Sequence, residues 1–188
     1  LFHTSLEALA LATAEFPRAI LFDDSSADFL DNQELQRVLL SFQERTGRQI
    51  DLLGFDACLM NMVEVATQVR GACGVMVGSQ ETEPGNGWPY DLFLAQLKQA
   101  PEMDARTLGK AIVESYLRYY AQRQPDLPVT QSAVELRRLQ PTIEALRTLS
   151  QVLAAGLDDP ATRRSLLGMV FSALRASQTF TDRDYLDL

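Results

Sequence analysis

IDLLGFDACLMNMVEVATQVR, residues 50–70, joins a short apolar run to a helical stripe through Asp56-Ala57-Cys58. Ile50 to Phe55 is short, mostly apolar and follows a Gly-containing break, which predicts a buried strand. Leu59, Met62, Val63, Ala66 and Val69 then recur at helical spacing, which predicts a helix with one apolar stripe. Asp56-Ala57-Cys58 falls between the two, at the carboxyl end of the strand and the amino end of the helix. In open α/β sheets that crevice is where ligands bind. A thiol there lies near unpaired backbone N–H groups and the positive end of a helix dipole, both of which favour thiolate. A buried, inert cysteine is the other reading of the same residue, because free Cys is among the most buried residue types.

Three further words extend the pattern. GFDACLMNMVEVA is followed by GSQETEPGNGWPY at Gly78–Tyr90, preceded by AILFDDSSADFLDNQEL and followed, well downstream, by VTQSAVEL. Together they resemble the clostripain-like cysteine peptidases, a family of the caspase-like group, over most of the chain. The resemblance implies a three-layer α/β/α sandwich around a mostly parallel sheet, in a single domain over 1–188 that is expected to be partial. It implies that Cys58 is a peptidase nucleophile and that Asp56 lies at the floor of the pocket for the residue before the cut, selecting Arg or Lys. Capping of the following helix is the alternative role for Asp56. Many members of the family depend on calcium, so calcium is expected as an activator rather than as a participant in the chemistry.

Composition excludes several classes. A hydrophobic content of 46% with 22% charged residues is that of a globular chain, and 188 residues suffice for a real core. The net charge of −8 argues against nucleic-acid binding, which needs a basic face; it suits a basic substrate or partner, and an acidic surface that keeps the chain soluble is the commoner explanation. Two cysteines are too few for a disulfide framework, and one histidine with two cysteines is too few for a clustered zinc site. No run approaches the roughly 18 apolar residues of a membrane helix. Leu1 is not a Met, and Asp184–Leu188 resembles the middle of a family segment, so both ends are expected to be cut. Localisation is not legible.

In chain order, Ser5–Phe16 is expected to be a helix and Ala19–Phe22 a strand. The acidic run Asp23–Asp28 could hold calcium, but it lacks the EF-hand offsets and a solvated turn explains it. Asp31 and Glu34 form a capping-box variant ahead of a helix whose buried stripe is Leu35, Val38, Leu39 and Phe42, ended by Thr46-Gly47. Cys73–Val77 is the next strand, so strand–helix–strand implies parallel pairing around the Cys58 helix. The loop Gly78–Trp88 opens on the Cys58 side, where Ser79, Glu81 and Trp88 are expected to wall a substrate site. A single aromatic tucked against the core is the other reading of Trp88. Helices follow over Asp91–Lys98 and Asp104–Gln122, the second with Leu108, Ile112, Tyr116 and Tyr120 in register. A strand over Val129–Leu136 comes next, then helices opened by Pro141 and Pro160 at the favoured first position.

One part of the pattern is missing. A cysteine peptidase uses a histidine to take the thiol proton and return it to the leaving amine. The family carries it in a His-Gly word at a strand end, and the only histidine here is His3, in Phe2-His3-Thr4-Ser5. Glu15-Phe16-Pro17 resembles the segment before the histidine strand and Arg18-Ala19-Ile20-Leu21 the segment after it. A strand is therefore expected between Pro17 and Arg18, absent from the sequence, removed by processing, or lost in an inactive domain. Family members cleave themselves near here at a basic residue, and Arg18 is placed for that. The resemblance thus implies an endopeptidase whose histidine comes from another segment or chain. A catalytically inactive module that binds basic segments is the competing reading.

Overall fold

The computed structural model describes residues 19–23, 25–26, 28–181 and 186–187. The Ser5–Phe16 helix, His3, Arg18 and the Pro17–Arg18 link fall outside them. The chain divides into two compact units, Leu1–Arg137 and Arg138–Leu188.

The first unit begins with strands β1 (Ala19–Asp23) and β2 (Asp28–Asp31), paired antiparallel. Ser25 and Ser26, from the acidic run, lie exposed in the turn between them. Asp31 then caps helix α1 (Asn32–Thr46) as expected. Its side chain accepts from the Glu34 N–H at 2.7 Å while the Glu34 carboxylate accepts from the Asp31 N–H at 3.2 Å. Gly47 closes the helix in the left-handed conformation, φ 68°. The expected stripe on α1 is only partly buried. Leu39 is buried, but Val38 and Phe42 are 59% and 43% exposed; α1 packs along β2 and the next helix.

Strand β3 (Ile50–Gly54) pairs parallel with β4 (Cys73–Gly78), and β5 (Ser132–Glu135) pairs antiparallel with β4, giving a mixed sheet in the order β3-β4-β5. Between β3 and β4 runs the short helix α2 (Val63–Val69), with Val65, Ala66 and Val69 buried. After β4 come α3 (Tyr90–Gln99) and α4 (Ala105–Arg123), the latter capped by Asp104. Ile112, Tyr116 and Tyr120 of α4 pack with Val75, Val77, Trp88 and Phe93 in the main core. Gly109 lets α4 approach the sheet: a Cβ there would lie 3.2 Å from that of Ala133 and 3.4 Å from side chains of Val75 and Val77. Alternation turns Met76 to the opposite face, and it too is fully buried. Strand β4 is therefore covered on both faces, which explains its unbroken apolar run.

The second unit is a helical hairpin of α5 (Gln140–Asp158) and α6 (Pro160–Ala176). Pro160 opens α6 as expected, Pro141 stands second in α5 after Gln140, and the Asp159 carboxylate accepts from the Ala161 N–H at 2.9 Å. Gly156 allows close approach of the two helices, since a Cβ there would meet Leu166 at 2.7 Å.

Candidate active site

The site begins where β3 runs out. The Phe55 N–H still donates to Val77 O at 2.9 Å, so the ladder extends one residue past the strand. The chain then leaves the sheet through Asp56, Ala57 and Cys58. The sequence predicts a helix from Cys58; instead α2 starts at Val63, with Met62 as its N-cap and no side-chain cap bond. Leu59 and Met62 are thus off the helix, and the Cys58 thiol is not at a helix N-terminus. The helix is delayed because residues 59–61 pair with the loop after β4. The Leu59 N–H donates to Glu81 O at 3.3 Å and the Asn61 N–H to Ser79 O at 2.9 Å. Leu59 adopts φ 61° to make that turn, a conformation costing a non-glycine residue on the order of 1–2 kcal/mol. It is held there by burial of its side chain.

A polar clamp fixes this segment. The Asn61 carboxamide nitrogen lies 3.1 Å from Gly78 O, 3.0 Å from Ser132 O and 2.6 Å from Ser132 Oγ. Gln80 Nε2 donates to the same Ser132 Oγ at 2.7 Å. Ser79, expected to touch substrate, is fully buried, with its hydroxyl 2.9 Å from Thr130 Oγ1 and accepting from the Glu81 N–H at 3.0 Å. Thr130 Oγ1 also accepts from the N–H groups of Gln80 and Glu81. Ser79 therefore shapes the loop from within, and Glu81 takes its place through backbone bonds to Leu59, Ser79 and Thr130.

Cys58 Sγ accepts from the Glu83 N–H at 3.2 Å and lies 3.8 Å from Glu83 O. The thiol is half-buried, and desolvation outweighs the Glu83 peptide hydrogen bond, so its pKa is raised. At neutral pH the sulfur is a thiol that needs a base to become a nucleophile. Cys73, in β4, is buried and its thiol is pushed up to about 11 by desolvation. Both cysteines are free.

Beside the sulfur lies a pair of carboxyl groups. Asp56 Oδ2 accepts from the Trp88 N–H at 3.2 Å and from the Tyr90 hydroxyl at 2.9 Å. Asp56 is therefore not a helix cap; it ties β3 to the start of α3. Glu83 is 8% exposed, and both its carboxyl oxygens face the Trp88 indole N–H, at 3.2 and 3.1 Å. Burial and a hydrogen bond to Asp56 push its pKa up to about 9. Trp88 itself is buried in the core, its ring edge against Gly54, so it supports the carboxyl pair from below. Tyr120, fully buried, donates from its hydroxyl to Gly87 O at 2.8 Å and anchors the end of the same loop.

The structure thus brings Cys58, Asp56, Glu81 and Trp88 to one end of the parallel pair, with Ser79 beneath. Sequence reasoning missed Asn61, Thr130 and Ser132 as clamps and Glu83 as the residue touching both Cys58 and Asp56. The VTQS word, 129–132, was the available signal for two of them. Among the described residues no group of three or more His, Cys, Asp or Glu side chains is arranged to hold a metal, and no helix is long and apolar enough to cross a membrane.

Residues 8–188 match the model of the clostripain family, Peptidase_C11. Among solved structures, the chain is similar to a clostripain from Bacteroides thetaiotaomicron in complex with a peptide inhibitor, with a TM-score of 0.59 and 16% identity over 89% of this chain and 65% of that one. It is similar to a secreted C11 cysteine protease of the same organism with an irreversible peptide inhibitor, with a TM-score of 0.54 and 24% identity over 66% and 36%. It is also similar to the C11 protease "iotapain" of that organism, with a TM-score of 0.60 and 14% identity over 100% and 48%. These likenesses are of fold, and the chain spans from about a third to two thirds of the length of these structures. No curated protein matches the sequence. Family match, caspase-like fold and the position of the thiol at a sheet end agree: the chain belongs to the clostripain family.

Proposed function

We propose that this protein is a cysteine endopeptidase that cleaves after Arg and Lys, with Cys58 as nucleophile. The observation that carries the reading is the Cys58 sulfur, partly accessible and hydrogen-bonded to the Glu83 peptide, next to the acidic Asp56–Glu83 pair. In the proposed reaction a histidine takes the thiol proton and the sulfur attacks the scissile carbonyl carbon, with the Cys58 N–H as oxyanion donor. The same histidine then protonates the leaving amine, and water releases the acyl group from sulfur. The raised pKa of Cys58 makes that base necessary. The histidine is proposed to come from another segment or a second chain, and His3 is not assigned the role.

Asp56 is proposed to select the basic side chain, since a partly buried carboxylate binds guanidinium in a two-pronged, charge-assisted geometry. The clostripain of B. thetaiotaomicron was solved with BTN-VLTK-AOMK, a peptide inhibitor whose sequence ends in lysine, which favours the same preference here. Ser79, Glu81 and Trp88 contribute by shaping the loop. Arg18 is proposed as a processing site. Calcium is proposed only as an activator, to be tested by chelation and readdition.

The deciding experiment measures cleavage of fluorogenic Arg and Lys peptides by the protein and by Cys58→Ala, with iodoacetamide labelling mapped by mass spectrometry. Cleavage that disappears in Cys58→Ala, with labelling of Cys58 ahead of Cys73, is expected. Equal labelling of the two thiols, or activity surviving in Cys58→Ala, would exclude Cys58 as nucleophile. Tight binding of basic peptides without cleavage would favour an inactive binding module.

A further inference from the structure

Among the described residues, Glu83 touches both the sulfur and the carboxylate proposed to select the basic side chain. Its peptide group lies against Cys58 Sγ through N–H and C=O. Its side chain is buried, receives the Trp88 indole N–H and hydrogen-bonds to Asp56. Two carboxyl groups in hydrogen-bond contact cannot both ionise without strong repulsion, so one proton stays between them. The more buried partner is the natural holder of that proton, because desolvation disfavours its charged form. Trp88 can only donate through its indole N–H, and Asp56 Oδ2 already accepts from Trp88 N–H and Tyr90 OH. A donor between Asp56 and Glu83 must therefore be the carboxylic acid itself.

We propose that Glu83 acts as a neutral acid that holds Asp56 in position, while its peptide group holds the Cys58 sulfur, making it a positioning residue for both recognition and attack. This deepens the proposed function and rests on it for the role of Asp56. The titratable groups facing Glu83 are Asp56 and Cys58 from the β3–α2 loop, Tyr90 from α3, and Tyr116 and Tyr120 from α4. Burial raises all three tyrosines, Tyr120 to about 12 and the other two further, so Glu83 titrates well before them.

The chain has a single tryptophan, Trp88, whose indole N–H is on the Glu83 carboxyl. Its emission therefore reports the ionisation of Glu83 without any assay of cleavage. In the full chain we expect an inflection near pH 9 that is absent in Glu83→Gln. The glutamine amide can still donate to Asp56 and accept from Trp88. On Arg and Lys peptides, Glu83→Ala is expected to raise KM about tenfold or more, as loss of a hydrogen bond to a charged group implies. Glu83→Gln should recover most of that loss. Iodoacetamide labelling of Cys58 should change by no more than about threefold in either variant, because the peptide group that contacts sulfur is retained.

An inflection that persists in Glu83→Gln, or none in the natural sequence, overturns the proposal. So does a Glu83→Gln variant as impaired in KM as Glu83→Ala. An inflection removed by Glu83→Gln in a protein that cleaves no Arg or Lys peptide even in a form that includes the proposed histidine segment supports the acid pair and overturns the peptidase reading alone.

Discussion

At the scale of single residues, charge and hydrogen bonding at Asp56 can be separated by one substitution. Asparagine at this position can still accept from Trp88 N–H and Tyr90 OH through its carboxamide oxygen. What it loses is the negative charge. Under the proposed specificity, Asp56→Asn should cost on the order of 2–5 kcal/mol in kcat/KM on Arg peptides, nearly as much as Asp56→Ala. Cleavage of Arg peptides by Asp56→Asn at the natural rate would move the selector to Glu81 or Glu83. Glu83 allows a second prediction, from stability. Its folded pKa of about 9 lies above the 4.5 of an unperturbed glutamate, so the folded state binds more protons than the unfolded state between those values. Stability from this group is full below about 4.5 and is lost as pH rises toward 9. Glu83→Gln removes that slope. Thermal melts should therefore show the variant gaining on the natural protein from pH 5 to pH 8; parallel curves would contradict a raised pKa.

Among the elements, the contact between β3 and the loop after β4 does most to shape the site. A Cβ on Gly54 would lie 3.0 Å from Trp88 Cη2 and Cζ3, tighter than most real Cβ contacts. Trp88 is held from above by Glu83 and at its backbone by Asp56, so the ring has little freedom to yield. Gly54→Ala is expected to destabilise the fold by about 1–3 kcal/mol, as overpacking does, and to shift the Trp88 emission. Denaturant unfolding with fluorescence detection checks both. By contrast, Gly71→Ala has no neighbour within 4 Å of the added Cβ and should leave the emission unchanged.

For the molecule as a whole, the proposed chemistry needs a base that no described residue supplies. General acid–base help contributes typically about 10²–10⁴-fold. Residues 1–188 alone should therefore label at Cys58 yet cleave Arg peptides at least about a hundredfold more slowly than a form that includes the proposed histidine segment. His3→Ala should not change either rate. A large loss of cleavage in His3→Ala would instead make His3 the base.

Local features are legible in the amino-acid order: the capping box of Asp31 and Glu34, the closing Gly47, the proline-started helices and the apolar runs of β3 and β4. Each depends on residues a few positions apart, whose interaction is set by backbone geometry. The words around Cys58 and Gly78 also sufficed to indicate the family. The tertiary structure alone decided where α2 begins, that Asp56 is no cap, that Ser79 and Trp88 are buried, and that Glu83 joins the thiol to the acidic pair. Those outcomes rest on contacts such as Cys58 with Glu83, 25 residues apart, and Asn61 with Ser132, 71 apart. Local preference favoured a helix from Cys58, but the backbone bonds of residues 59–61 to the opposite loop held that segment out of it. The Glu83 pKa likewise depends on burial in the folded chain and on Asp56 in another loop, which no local pattern encodes.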